Sequence, residues 1–525
     1  MNLKNISQTY YVVYAYFLVL TFYSVFNVGF ISEMFAIRAD VENISVDEYL
    51  KGVFKTKSAH RLNPIGYLLD YGYALFLSNN LIYISIYKFL IVCTSSVLIN
   101  FFLKNFVDKH ISIILTFTII FLPNADSLIY SSAHRYTLSI GLALFSYNFA
   151  INKKYNYVFF YGILSLLTCY VSIIIICALT IFFIIKKNIN IFLTYFLIIL
   201  LFFIFYFSIR ITSEIPINRL DQSFDLLILF KKFLLTYLSI FDSTVGISFF
   251  LKFVGNIYSN IYVFIIIFFI NIFIFRKIFL NKKIGQHNIQ DDKFMNLILI
   301  SAVILITASF VFSLTQRYPF VAFGLGNRLS IFANLLLVST LYLLLYKNKI
   351  GKNLLVIFIS MVIASGVSVS SHWKIFSNET YTFKTTISKI CHEAPFTNNN
   401  LSNDFIFIDN MRYSSLLSFD HIDFISSFWV TEALCKNEKL IILPVSNQIE
   451  LKESNIKWKK FNKKYTFDKD LSNIYIFDDT RNQIKKIELD KLSILLRSQR
   501  DNRHWVLKIS FLTDMIRNLS NNVYN

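Results

Sequence analysis

The chain has 525 residues, 55% of them hydrophobic and only 16% charged, with 57 phenylalanines, a mean hydropathy of +0.54 and a formal net charge of +19. A soluble protein of this length would have too little polar surface to cover itself, so the composition excludes a water-soluble globule and points to a multi-span α-helical membrane protein. The positive charge does not point to nucleic acid: basic residues are spread over the ends of apolar runs and the C-terminal part, with no basic segment interleaved with aromatics, and orientation in the bilayer with contact to anionic lipid accounts for them.

About 20 apolar residues cross a hydrocarbon core roughly 30 Å thick. Such runs are predicted over 10–31, 81–103, 110–122, 136–151, 190–209, 258–275, 294–314, 327–346 and 353–371, the third and fourth being short. The first is too long for a cleavable signal peptide and lacks a small-residue cleavage site, so it is expected to stay as an anchor. The stretch 157–185 is longer than one helix needs and is bracketed by Lys153-Lys154 and Lys186-Lys187. Lysine pairs at both ends put both on the cytoplasmic side, which makes the stretch two short helices turning near 168–172, or a re-entrant hairpin. The alternative is one long tilted helix.

Counting that stretch as two gives about 11 membrane segments, with the lysines of the short loops on one, cytoplasmic, face. The N-terminus is then inside, while 32–80, 123–135, 210–257, 315–326 and everything after 371 lie outside. A flippase or transporter would need ionisable groups near mid-membrane, and the predicted spans offer almost none.

The first external segment, 32–80, gathers Glu33, Asp40, Glu42, Asp47 and Glu48. It continues into a helix predicted over 65–77, whose Asp70 is either functional or turned to headgroup water. Lys88 lies about seven residues into the second span, where it can snorkel outward as an anchor or pair with a lipid-linked phosphate. The second external segment reads NADSLIYSSAHRYTLSI and brings Asp126, His134 and Arg135 to the face of the acidic loop. His134 and Arg135 would serve a phosphate, or simply open a helix at the interface.

The segment 210–257 carries Arg210, Arg219, Asp221, Asp225 and Asp242 around an apolar stretch at 226–240 that lies along or dips into the membrane, as a lipid-access floor or as structural filling. In TQRYPFVAFGLGNRLSI, Arg317 and Arg328 flank Gly324 and Gly326. The Gly-x-Gly does not follow a strand, so it is no nucleotide loop. Its arginines suit a departing lipid phosphate, and Asn327 alternatively serves as a local helix cap.

From 371 onward the composition changes. Short β-like runs at 405–408, 440–443 and 474–477 predict an α/β or α+β external domain, so the chain divides into a membrane domain over 1–371 and an extracytoplasmic domain over 372–525. Cys391 and Cys435 fall in that domain and could pair in an oxidising compartment, while Cys93, Cys169 and Cys177 sit in apolar runs as small buried residues. No Walker loop, His-Glu-x-x-His or Cys-x-x-Cys pattern occurs, and His60, His134 and His372 stand alone.

The first external segment also carries a resemblance. Asp47-Glu48-Tyr49, a short helical stretch, the turn at Asn63-Pro64 and the apolar helix after it resemble the first external loop of GT-C-type glycosyltransferases, although that family's turn is richer in proline than Leu62-Asn63-Pro64. The resemblance covers about a fifth of the chain by motif and the rest by layout. It implies a GT-C-like membrane domain and an inverting transfer of a hexose from a polyprenyl-phosphate donor to a surface polysaccharide. The layout is similar to the serotype-converting glucosyltransferases of bacterial O-antigen, which implies the bacterial inner membrane.

In that reading Asp47 is the base that accepts the acceptor's proton, Glu48 orients it and Asp40 is the reserve, with Arg317, Arg328, His134, Arg135 and Lys88 on the donor. The sequence identifies no cofactor; a divalent metal held by Asp40 and Asp47 is an open alternative, since carboxylates without a fixed geometry do not identify one. The rival readings are an O-antigen or capsule polymerase working through Arg210, Arg219, Arg317 and Arg328, and a lipid-linked sugar flippase or transporter.

Overall fold

A computed structural model describes residues 3–29, 45–56, 61–76, 80–130, 134–212, 226–279, 291–314, 329–346, 349–393, 403–408, 435, 440–444, 449–451, 455–460, 463–468, 472–478, 483–488 and 490–492. It divides into two compact units, one of residues 1–28 and 50–371, the other of residues 29–49 and 372–525.

The first unit is helical. It contains α1 (Leu3–Val25), then α3 (Pro64–Phe76), α4 (Leu81–Leu103), α5 (Lys109–Ile120), the four-residue α6 (Ser127–Tyr130), α7 (His134–Ile151), α8 (Tyr155–Thr168), α9 (Ile173–Ile185) and α10 (Ile189–Thr212). There follow α11 (Leu226–Thr244), α12 (Ile247–Ser259), α13 (Ile261–Phe279), α14 (Asp291–Ser313), α15 (Ile331–Tyr346) and α16 (Lys349–Ser368), while α2 (Val46–Thr56) and α17 (Ser370–Glu393) begin at the unit boundaries. Among the described residues six stretches are long and apolar enough to cross a membrane: Leu81–Leu103, Ile189–Thr212, Leu226–Ser259, Ile261–Phe279, Asp292–Ser313 and Ile350–Ile375. The chain is a helical, multi-pass membrane protein.

Helix α13 shows why these sequences suit a bilayer. Tyr262, Ile266, Phe269 and Phe273, at helical spacing, are all more than half exposed, an apolar stripe that water would penalise and acyl chains would not. Its other face buries Asn271 and Phe275. There Asn271 accepts a hydrogen bond from the Tyr16 hydroxyl at 2.8 Å, and the Phe275 and Phe17 rings stack at 6.0 Å. Helix contacts in lipid gain nothing from removing apolar surface from water, so such close contacts and interhelical hydrogen bonds hold the helices together.

The 157–185 stretch is two helices, and they double back. Phe149, near the end of α7, stacks on Tyr157 and Tyr161 at the start of α8, while Tyr147 meets Phe182 and Phe183 at the end of α9. Both lysine pairs therefore lie at one end of the bundle. Each follows the same helix stop: Lys153 and Lys187 both have φ 54°, and the next residue reaches back five positions, Lys154 N–H to Phe149 O at 2.9 Å and Asn188 N–H to Phe183 O at 3.0 Å. That is the Schellman pattern, with lysine in the left-handed position glycine usually takes. At the opposite tip the helix breaks at extended Cys169, and the freed Tyr170 N–H donates to buried Asn63 Oδ1 at 2.6 Å.

The Asn63-Pro64 turn thus locks the tip, with Pro64 as the first residue of α3, where its missing N–H costs nothing. Gly66 on the same helix passes so close to the Thr168 carbonyl that a Cβ would overlap it. A side-chain cap opens α5, where Asp108 accepts from His110 N–H at 2.8 Å. Burial raises this carboxyl, but hydrogen bonds from the His110 ring and backbone, and the His110 and Lys109 charges, outweigh it and hold it below its usual range. The cap therefore adds stability above the ordinary carboxylate range and loses it only as pH falls through the lower folded value.

In the second unit, β1 (Asn403–Ile408) lies between β2 (Leu440–Pro444) and β6 (Ser472–Asp478), parallel to both, and β7 (Gln483–Lys486) adds antiparallel to β6. The runs at 405–408, 440–443 and 474–477 are strands of this one sheet, with Ile406 opposite Ile442 in register and both fully buried. A separate antiparallel sheet has the order β3 (Ile449–Leu451), β4 (Asn455–Lys460), β5 (Lys463–Asp468). Cys391 of α17 is joined to Cys435. Non-reducing peptide mapping of the full-length protein should recover those two residues as one cross-linked species, with alkylation confined to Cys93, Cys169 and Cys177. Alkylation of all five cysteines without reductant would contradict the pairing.

Candidate functional site

The site is built where a helix stops inside the bundle. Every residue of α5 from His110 to Ile120 is buried, yet the helix ends at Phe121 because Pro123 has no N–H to continue it and disfavours helical backbone at Leu122. Residues 121–130 are all buried, as a 3-10 turn at Pro123–Ala125 followed by α6. Irregular backbone at such a place survives only if protein supplies its partners. Asp126 O accepts from the Ile129 and Tyr130 N–H groups, Tyr130 O accepts from Lys88 Nζ at 2.8 Å, and the Tyr130 hydroxyl donates to Gly366 O at 2.7 Å. Gly366 is required there, since a Cβ would overlap the Phe121 carbonyl.

Two charges meet on this segment. Lys252 Nζ donates to Asp126 Oδ2 at 2.9 Å, with the lysine 0% and the aspartate 1% exposed. Lys252 comes from α12, whose buried Ser248, Lys252 and Asn256 recur every four residues and so form one polar stripe. That helix packs on the Pro123–Ala125 turn and on α16, and Ser368 Oγ donates to the Asn256 carbonyl at 2.8 Å.

Three amides complete the centre. Asn124 Nδ2 donates to Ser243 O at 3.0 Å and to Asn334 Oδ1 at 2.9 Å, joining the turn to α11 and α15. Asn124 Oδ1, Asn334 Nδ2, both polar atoms of Asn256 and Ser330 Oγ are buried with no hydrogen-bond partner among the described residues. Leaving a buried polar atom unsatisfied costs about 1–3 kcal/mol. A concentration of such atoms beside an ion pair marks a place built for polar contact.

The structure redistributes the predicted site residues. Lys88 is not a snorkelling anchor: it is fully buried and its ammonium points to the Tyr130 carbonyl. The segment around Asp126 is fully buried within the membrane unit, and Lys252 falls within Leu226–Ser259, a stretch long and apolar enough to cross a membrane, which adds a buried ionisable group to the few that the predicted spans offered. His134 is the first residue of α7, and only its backbone is described. Arg135 is half-buried, its guanidinium 4.2 Å from the Tyr67 ring centroid and 5.6 Å from that of Tyr136, a stacked cation.

Asp47 and Glu48 belong to the second unit, in the first turn of α2, and both are exposed. Glu48 and Ser45 form a capping box: Ser45 N–H and Oγ donate to Glu48 Oε2 at 3.2 and 2.8 Å, and Glu48 N–H donates to Ser45 Oγ at 3.2 Å. Asp40, Arg317 and Arg328, and with them Arg219, Asp221 and Asp225, lie outside the described residues. Among the described residues no three His, Cys, Asp or Glu side chains group as for a metal. Lys252 and the three asparagines were missed, although the four-residue spacing of Ser248, Lys252 and Asn256 is visible in ISFFLKFVGNIYS.

No family model, curated protein or solved structure matches the chain.

Removing one member of a buried ion pair strands the other and costs about 3–5 kcal/mol, whereas replacing both by apolar residues is nearly neutral or better. Asp126→Asn should therefore lower the melting temperature of the detergent-purified protein sharply, and the double variant Asp126→Leu with Lys252→Met should recover most of the loss. An unchanged melt for Asp126→Asn would contradict the pairing.

Proposed function

We propose that this protein is a membrane glycosyltransferase of GT-C type that transfers a hexose, with inversion, from a polyprenyl-phosphate donor to a cell-surface glycan such as O-antigen. The observation that carries the reading is the placement of Asp47: an exposed carboxylate in the first turn of the amphipathic α2, in the segment after the first apolar helix. The neighbouring acid is occupied in the capping box, so its role is to hold that turn.

A sugar hydroxyl is a poor nucleophile. A carboxylate that takes its proton as it attacks the anomeric carbon contributes about a hundred- to ten-thousand-fold in rate, while the lipid phosphate departs with the electron pair of the broken bond. Arg135, stacked and half-buried, and the arginines at 317 and 328 are the residues we assign to that departing charge.

The same proposal sets about 11 membrane segments in the bacterial inner membrane, with both lysine-bearing stops and the N-terminus in the cytoplasm and the C-terminal unit outside. The Cys391–Cys435 bridge supports an oxidising compartment for that unit.

One observation favours a second reading. Lys88, Asp126 and Lys252 are buried among apolar helices, which is where a lipid-linked sugar flippase or transporter keeps its charged groups. Purified protein incubated with a synthetic polyprenyl-phosphate hexose and an acceptor glycan separates the two. A glycosyltransferase forms product in detergent, where no membrane is crossed. Asp47→Asn should then lower transfer more than tenfold, about 1.4 kcal/mol of barrier or more. Glu48→Gln, which closes the same capping box, should leave transfer near normal. Undiminished transfer by Asp47→Asn would remove the base from Asp47, and no transfer by the unmutated protein would favour transport.

A further inference from the structure

The unpartnered atoms at the centre of the membrane unit have a defined polarity. Ser243 O can only accept, so the Asn124 atom facing it is Nδ2, which leaves Oδ1 as the atom without a partner. The same Nδ2 donates to Asn334, so the Asn334 atom facing it is Oδ1, and Nδ2 is left over there. One acceptor and one donor are therefore presented side by side on two asparagines already in contact. Ser330 Oγ adds another unpartnered group one turn before Asn334, and both polar atoms of Asn256 add two more, on the face of α12 that brings Lys252 to Asp126. All four residues are 0% exposed.

The polarity restricts the guest. A cation would be repelled by the Asn334 amino group and an anion by the Asn124 carbonyl oxygen, while an apolar group would leave both unsatisfied. A hydroxyl donates its hydrogen to Asn124 Oδ1 and accepts from Asn334 Nδ2 with its lone pairs, satisfying both at once. We propose that Asn124, Asn334, Ser330 and Asn256 form an internal binding site for hydroxyl groups. Water and a ring hydroxyl of a carbohydrate offer the same chemistry. These atoms are fully buried, so a sugar hydroxyl reaches them only when the contacts of Asn124, Asp126 and Tyr130 that tie the 121–130 segment to its neighbours give way. The site lies in the membrane unit and does not depend on Asp47 acting as a base.

Two measurements on the full-length protein in nanodiscs test the site and separate the sources. In a high-resolution cryo-EM map without added sugar, water gives a density within about 2.7–3.2 Å of both Asn124 Oδ1 and Asn334 Nδ2. A photoreactive alkyl glucoside, if its sugar is the guest, labels the peptides bearing Asn124 or Asn334 saturably, and excess plain alkyl glucoside competes while an alkyl phosphate does not. Asn334→Leu should lower that labelling about tenfold, the loss of one hydrogen bond in a dry site, or abolish the bridging density. If Asn334→Leu does not fold, Ser330→Ala serves as the milder variant, with reduced labelling or an altered density beside residue 330 expected. Bridging density or saturable labelling at these residues supports the site. A map with neither density nor labelling there, or labelling that both variants leave unchanged, overturns it. Transfer by Asp47→Asn reads the catalytic assignment separately, so either can fail with the other intact.

Discussion

A helix that stops inside a bundle of apolar helices needs partners for its freed backbone groups, and Pro123 imposes that need on the centre of the membrane unit. The answer is polar and fully enclosed. Asp126 receives Lys252 from α12, Tyr130 receives Lys88 from α4 and reaches Gly366 on α16, and Asn124 ties α11 to α15. Five helices thus converge on ten residues of chain. Because each charge is covered, the ion pair does not add much stability over apolar residues of similar size; its consequence is that the helices cannot be exchanged or shifted without exposing an unpaired charge to lipid.

The same logic recurs at the tip of the α8–α9 pair on a smaller scale. A break at Cys169 frees the Tyr170 N–H, and Asn63 supplies the missing acceptor from a turn more than 100 positions away in the chain. Glycine at 66 and at 366 lets backbone approach backbone at both breaks. Both of these breaks are thereby held by side chains from distant segments, which helps a bundle without a hydrophobic driving force between its helices to acquire a single arrangement.

What could be read from the sequence follows from how local each signal is. The span at 81–103 coincides with α4, and the doubling back at 157–185 followed from two lysine pairs, because apolar length and flanking charge are properties of the segment itself. Three short β-like runs became strands of one sheet for the same reason. The fate of a charge is not local. Lys88 has the surroundings of an anchor in the sequence and lies buried, since its partner Tyr130 comes from another segment. Asp126 sits among turn-forming residues that read as an external loop, and Lys252, which supplies the opposite charge inside the bundle, comes from 126 positions later. Of the predicted acids, Glu48 was within reach of a local reading, since Ser45-x-x-Glu48 is a capping box in the sequence itself.

The central claim is that the Asp126–Lys252 contact specifies how the membrane unit assembles. Exchanging the two charges tests it most directly, by comparing Asp126→Lys, Lys252→Asp and the two together for yield of monodisperse protein and melting temperature in detergent. Each single change puts like charges face to face in a closed site and should abolish the folded protein or lower its melting temperature strongly, while the exchanged pair should restore a substantial part of both. Additive losses in the double variant, with no recovery, would show that the two residues are not coupled and would contradict the account.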